Sequence, residues 1–183
     1  MRDERQTLKD SVYLNMAKGI ALLSKDKDTK IGAVIVARDG SPVSWGYNGT
    51  LPGLDDDKIP HSREEQELCY VENGVTHCFM ASKYPFMQHA EENAIDFGDK
   101  DKMAGATIYV TGMPCLRCAG KIAKRNIARV VIPDDIVITE GSTIGKDDDI
   151  TKFYFSRKGI ILTIGSEDIR LWNPDDPPSV RGL

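Results

Sequence analysis

Apolar positions along the chain form first a helical stripe, then two short extended runs, then a regular alternation of helix and strand. Leu8, Val12, Met16, Ile20 and Leu23 recur at helical spacing, so residues 5–23 read as an amphipathic first helix. Ile31-Gly32-Ala33-Val34-Ile35-Val36 is a β-rich apolar run, Asp39-Gly40 is a hairpin turn signal, and Pro42 to Tyr47 returns as a second strand. Residues 49–86 carry Pro, Gly and acidic clusters without long periodicity. They read as a long insertion without regular structure, of the kind that is functional or ordered by a ligand. From His89 the elements alternate: Ala90 to Phe97 helix, Ala106 to Val110 strand, Cys115 to Arg125 helix, Ala128 to Ile132 strand, a helix near 148–157 and a strand at Ile160 to Ile164. A hairpin followed by β-α-β crossovers predicts an α/β fold, a mixed sheet of about five strands with helices on both faces. The tail from about 168 to 183, with Pro174, Pro177 and Pro178, reads as an extended arm on the body or on a neighbouring subunit. A length of 183 residues fits one domain, 1–183.

Composition narrows the setting. Apolar content of 40% and charged content of 28% are ordinary for a globular chain. No apolar run approaches the roughly 20 residues of a membrane span, and Met1-Arg2-Asp3-Glu4-Arg5 does not open a secretory signal. With two of four cysteines in a metal motif, a disulfide framework is not expected, and a reducing compartment, the cytoplasm, is. The net charge is −4, no basic stripe runs along the chain, and Asn173 to Leu183 holds one Arg and two Asp. A polynucleotide partner is therefore disfavoured, whereas a small monophosphate needs only one or two cations.

The chemistry concentrates in His89-Ala90-Glu91 and Pro114-Cys115-Leu116-Arg117-Cys118. One imidazole and two thiolates make three zinc ligands with a fourth position open, as in catalytic rather than structural sites. Glu91, two residues from the His, reaches a water on the metal without being a ligand. Zinc brings that water to a pKa near 7, and a carboxylate then carries its protons. The competing reading is a closed structural zinc knot that uses all four cysteines or a stray His. His89 and Glu91 fall at the start of one predicted helix and Cys115 and Cys118 at the start of another. Helix N-termini favour thiolate over thiol, so two such termini meeting at one metal would account for the spacing.

With Gly46-Tyr47-Asn48-Gly49, Lys83-Tyr84-Pro85, His89-Ala90-Glu91-Glu92-Asn93-Ala94-Ile95 and Pro114-Cys115-x-x-Cys118 in view, the chain resembles the deoxycytidylate (dCMP) deaminases of the zinc-dependent cytidine deaminase superfamily. The resemblance runs from about residue 24 to 132. It implies a three-layer α/β/α sandwich and hydrolysis of dCMP to dUMP and ammonia, which supplies dUMP for thymidylate synthesis. His89, Cys115 and Cys118 would hold one catalytic zinc. Glu91 would move protons from the water to the pyrimidine N3 and then to the leaving amine. Asn48 would bond the deoxyribose or phosphate end, and the Ala90 N–H the pyrimidine carbonyl. Relatives form hexamers or other oligomers, activated by dCTP and inhibited by dTTP near the Gly46-Tyr47-Asn48-Gly49 loop. Some viral members accept 5-substituted dCMP, in the host cytoplasm. Many carry an aromatic after the strand that matches Ala128 to Ile132. Here Pro133 to Ile138 has none, so Phe153 or Tyr154 substitutes or the pocket differs. Rival readings are a deaminase of a free nucleoside, riboflavin intermediate or tRNA adenosine, and a non-catalytic nucleotide-binding protein on this fold.

Lys25, Lys27 and Lys30 cluster near Asn48 and are candidates for the phosphate, with a solvated loop as the alternative. A second zinc at Cys69, His77 and Cys78, with His61 upstream, is not expected, and Cys78 reads as a small buried hydrophobe. Asp55-Asp56-Asp57 and Asp147-Asp148-Asp149 read as exposed acidic runs, Trp45 as core and Met113 as packing behind the metal.

Overall fold

The computed structural model describes residues 3–135 and 144–169, apart from the side chains of Asp56 and of residues 144–147. The predicted arm from 170 onward, and residues 136–138 of the stretch lacking an aromatic, lie outside the described residues. Helix α1 (Glu4–Ala21) starts at Asp3, whose carboxylate accepts from Arg5 N at 3.2 Å. Strands β1 (Gly32–Val36) and β2 (Pro42–Tyr47) form the predicted hairpin. The segment that follows contains β3 (Gly49–Thr50), β4 (Gln66–Glu72), β5 (Val75–Ala81) and β6 (Met87–Gln88). Then come α2 (Ala90–Phe97), β7 (Thr107–Val110), α3 (Leu116–Lys124), β8 (Arg129–Ile132), α4 (Ile144–Lys158), β9 (Ile161–Ile164) and β10 (Glu167–Ile169).

The main sheet runs β10-β9-β8-β7-β1-β2. The β7-β8-β9 pairs, joined by helical crossovers, are parallel, and the remaining pairs are antiparallel. The mixed sheet is as expected, with six strands among the described residues rather than about five. The sixth is β10, which lies where the arm was predicted to begin. Because side chains alternate along a strand, β1 splits its apolar run between two cores. Ala33 and Ile35 face α2, α3 and α4 together with Ile108, Val130, Ile122 and Phe155. Val34 and Val36 face α1 together with Leu14, Ala17 and Val131. Three layers result, with α1 alone on one face.

The first helix forms where its spacing predicted, but it is turned. The stripe of Leu8, Val12, Met16 and Leu23 is exposed, with Leu8 at 66%, whereas Asp10, Leu14, Ala17 and Ala21 are buried. Two close contacts explain the rotation. Gly32 lets the Ala17 and Ala21 turn of α1 lie directly on β1, where any Cβ would collide with the helix backbone. Asp10 takes both guanidinium nitrogens of Arg129, at 2.9 and 2.6 Å, and the Tyr109 hydroxyl at 3.0 Å.

Three further expectations are corrected. The 49–86 segment is not without regular structure, because β4 and β5 pair in full register as a hairpin. Trp45 is 51% exposed rather than core, since it sits on the edge strand β2. Cys78 is exposed rather than buried. It faces Cys69 directly across the hairpin and is bonded to it as a disulfide, against the expectation of free cysteines.

Candidate metal centre

Two helix starts bring the motif together. His89 caps α2 and Cys115 caps α3, both in extended backbone, so each side chain projects ahead of its helix, where free N–H groups favour negative charge. Cys118 follows one turn into α3 and is buried. Glu92 ties the two starts. Its carboxylate accepts from His89 N at 3.1 Å, from Arg117 at 2.8 Å and from Lys121 at 3.1 Å. The two helices thus meet as the spacing predicted.

His89 Nδ1 lies 3.5 Å from Cys115 Sγ and 3.3 Å from Cys118 Sγ. A tetrahedral zinc with Zn–N near 2.0 Å and Zn–S near 2.3 Å holds N and S about 3.5 Å apart, so the triangle fits that ion. The hydrogen bond between the two thiols pushes Cys115 down to about 4, helped against burial by His89, and pushes Cys118 up, so one thiol of the pair already favours the thiolate form. Glu91 is 4% exposed, and burial pushes its carboxyl up to about 7 against the pull of His89. A carboxyl balanced near neutrality beside a metal corner can both take and give a proton.

A cavity of about 260 Å³ opens over this corner. Its lining includes Glu91, Ala90 and Met113 together with Thr29, Asn48, Lys83, Arg63 and Tyr84. Neither Phe153, which is exposed, nor Tyr154, packed against the sheet core, lines it. The Asn48 side chain is engaged in bracing: Oδ1 accepts from Ile31 N at 2.7 Å, and Nδ2 donates to Thr29 O at 2.9 Å and Asp26 at 3.3 Å. Lys83, 3% exposed, donates to Asp26 at 2.7 Å and Asp28 at 2.8 Å. Lys83 belongs to the Lys83-Tyr84-Pro85 motif without a role legible in the sequence, and Arg63 sits in the insertion with no motif around it to mark it.

A larger cavity of about 600 Å³ lies on the outer side of β2, lined by Trp45, Tyr47, Phe97, His61 and Lys25 among others, and Asp26 borders both cavities. The Gly46-Tyr47-Asn48-Gly49 loop is therefore shared: Asn48 faces the metal cavity and the other three the larger one. Gly46 has a packing reason as well, since a Cβ there would strike the α2 backbone at Ala90 and Ala94. Of the predicted phosphate lysines, Lys25 lines the larger cavity, whereas Lys27 and Lys30 are exposed and line neither. His61 is likewise at the larger cavity, and His77 stacks on Tyr70 at 5.2 Å. Asp55 pairs with Lys58 and Asp149 with Lys152 on the surface. No helix among the described residues is long and apolar enough to cross a membrane.

One His and two Cys gathered at two helix starts, with a buried carboxyl alongside, have the donor set of a catalytic rather than a closed structural zinc site. The chain belongs to the family described as the cytidine and deoxycytidylate deaminase zinc-binding region, whose model matches residues 7–133. A probable deoxycytidylate deaminase of Caenorhabditis elegans is 35% identical over 118 residues, 64% of this chain and 53% of that protein. The chain thus spans about half the length of that relative. The deoxycytidylate deaminase of Mycobacterium phage D29 is 33% identical over 129 residues, 69% of this chain and 94% of that one. In fold, the chain is similar to the dCMP deaminase of cyanophage S-TIM5 solved with dCMP and dUMP. The TM-score is 0.56 at 24% identity, covering 90% of this chain and 98% of that one.

Proposed function

We propose that this chain hydrolyses dCMP to dUMP and ammonia. The observation that carries the reading is the buried Glu91 carboxyl beside the His89, Cys115 and Cys118 triangle. Zinc, held by those three side chains, supplies Lewis acidity and an acidified water when bound. Glu91 accepts one proton from the water whose oxygen bonds to C4 and donates it at the pyrimidine N3; it then takes the second proton from the new C4 hydroxyl and gives it to the amine, which leaves C4 as ammonia. The Ala90 N–H, in the first turn of α2 where the helix itself supplies no acceptor, holds the pyrimidine carbonyl. Asn48, braced between Ile31 and Thr29, shapes the wall beside the sugar, whereas Lys25 lines the larger cavity and Lys30 neither, so the lysines expected at the phosphate are not assigned to it. One zinc per chain serves this chemistry.

The same reading includes regulation, assembly and setting. dCTP and dTTP are assigned to the cavity bordered by Tyr47, Trp45 and Lys25, whose aromatic and cationic lining suits a nucleotide. A homo-oligomer, a hexamer by family likeness, is supported by the exposed Leu8, Val12 and Met16 stripe on α1. The setting, by family likeness, is the cytoplasm, although the exposed Cys69–Cys78 disulfide is a bond of oxidising compartments. The test is product analysis of the zinc-loaded chain with dCMP, CMP and deoxycytidine, with and without dCTP and dTTP. Formation of dUMP from dCMP in strong preference to the other conversions is expected. Equal turnover of deoxycytidine would defeat the nucleotide reading.

A further inference from the structure

We propose that Arg63, carried on the insertion at the base of the β4–β5 hairpin, is the residue that reads the 5′-phosphate and so sets nucleotide over nucleoside. The inference rests on the reading of a deoxynucleoside monophosphate in the metal cavity. With the pyrimidine over Glu91 and Ala90, the sugar and phosphate extend along the cavity toward Thr29, Lys83 and Arg63. Two cations border that part. Lys83 is committed, because its ammonium is buried and shared between Asp26 and Asp28. Arg63 is less so: its side chain is 34% exposed, one Nη2 donor goes to Thr29 Oγ1 at 3.2 Å, and its Nε makes an ion pair with Asp28 at 3.7 Å, which is beyond hydrogen-bond length. The remaining N–H donors can form the two-pronged contact that a guanidinium makes with phosphate. Lys83 also offsets the carboxylates of Asp26 and Asp28, which would otherwise repel an anion. The loop is fixed at its base by Lys83 N donating to Ser62 O at 3.1 Å, beside Arg63 in sequence. Lys25 borders the other cavity and Lys30 neither, so the lysine cluster leaves this role open.

The experiment compares kcat/KM for dCMP and deoxycytidine in the zinc-loaded full chain and in Arg63→Ala and Arg63→Lys, with zinc content and melting recorded for each. A charge-assisted hydrogen bond corresponds to roughly a tenfold to hundredfold preference. The dCMP-to-deoxycytidine ratio is therefore expected to fall at least about tenfold in Arg63→Ala, mainly through KM, and to recover in part in Arg63→Lys. Inhibition by inorganic phosphate should weaken in parallel. A ratio in Arg63→Ala within about twofold of the unmodified chain, at equal zinc content, overturns the assignment while leaving dCMP deamination intact. An unmodified chain that does not prefer dCMP overturns the nucleotide reading itself. If Arg63→Ala does not fold, Arg63→Gln, which keeps a donor for Thr29, takes its place.

Discussion

Replacing Lys83 by Met tests whether a buried charge organises the wall of the metal cavity. Met keeps the length and apolar stem of Lys but removes the ammonium, so the change isolates the ion pair. The side chains of Lys83 and Asp26 are 4% and 5% exposed, and the pair is 2.7 Å long. Removing one partner of such a pair costs about 3–5 kcal/mol, because the other charge is left buried. Asp26 keeps three other donors, Asp28 N at 2.8 Å, Thr29 N at 3.1 Å and Asn48 Nδ2 at 3.3 Å, which puts the loss at the low end, about 3 kcal/mol. The second contact, to the more open Asp28, is left out of that figure. For a chain of this size the midpoint of thermal unfolding should fall by roughly 6–12 °C. The assay is a thermal and a guanidinium melt of Lys83→Met, Asp26→Asn and the double variant. The double variant should recover at least about 1 kcal/mol relative to the sum of the single losses, since neither charge is then stranded. Burial alone would lower the Lys83 pKa, but its bonds to Asp26 and Asp28 outweigh burial and raise it above 10.5. The contribution is therefore complete below about pH 10.5 and fades as pH rises through the higher folded value. A loss under about 1 kcal/mol, or strictly additive effects, would refute the argument.

Glu91→Gln should retain zinc and fold while turnover of dCMP falls by about 10²–10⁴, because the amide cannot carry a proton; metal analysis, a melt and steady-state kinetics check this, and near-full activity would remove Glu91 from its role. Asp10→Asn should destabilise the chain by about 2–3 kcal/mol at pH 6, since the half-buried Arg129 guanidinium loses its buried anionic partner. Burial raises the Asp10 pKa, but hydrogen bonds from Arg129 and Gln6 and the charge of Arg129 overcome this and hold it below 3.8. The stabilisation is thus present above about 3.8 and lost as pH falls through the lower folded value, so the gap between the two proteins should narrow in melts at pH 3 and below. A gap independent of pH would contradict the linkage.

Local chemistry made much of this protein legible in its residues. The metal motif could be read directly because a ligand set is a matter of donor type and spacing, and both helix starts fall where the caps stand. The β1–β2 hairpin and the crossovers were equally legible, since alternation and turn residues act over a few positions. Which face of α1 is buried was not. Leu8, Val12 and Met16 make the stronger stripe, yet Asp10 and Ala17 go inward, because Arg129, 119 residues away, and the bare backbone at Gly32 reward that rotation. Neither partner is visible in a helical window. The 66–81 hairpin hid its regularity because Leu68, Tyr70, Phe79 and Val75 alternate on a ribbon exposed to solvent, where the usual contrast of apolar and polar faces is missing. The sequence by itself determined the candidate ligand set, the proposed proton carrier and the order of elements, since each depends on neighbours along the chain. Only the tertiary structure decided that Lys83 is consumed by Asp26 and Asp28 and that Arg63 borders the metal cavity, because charge pairing and cavity walls depend on residues that meet in space.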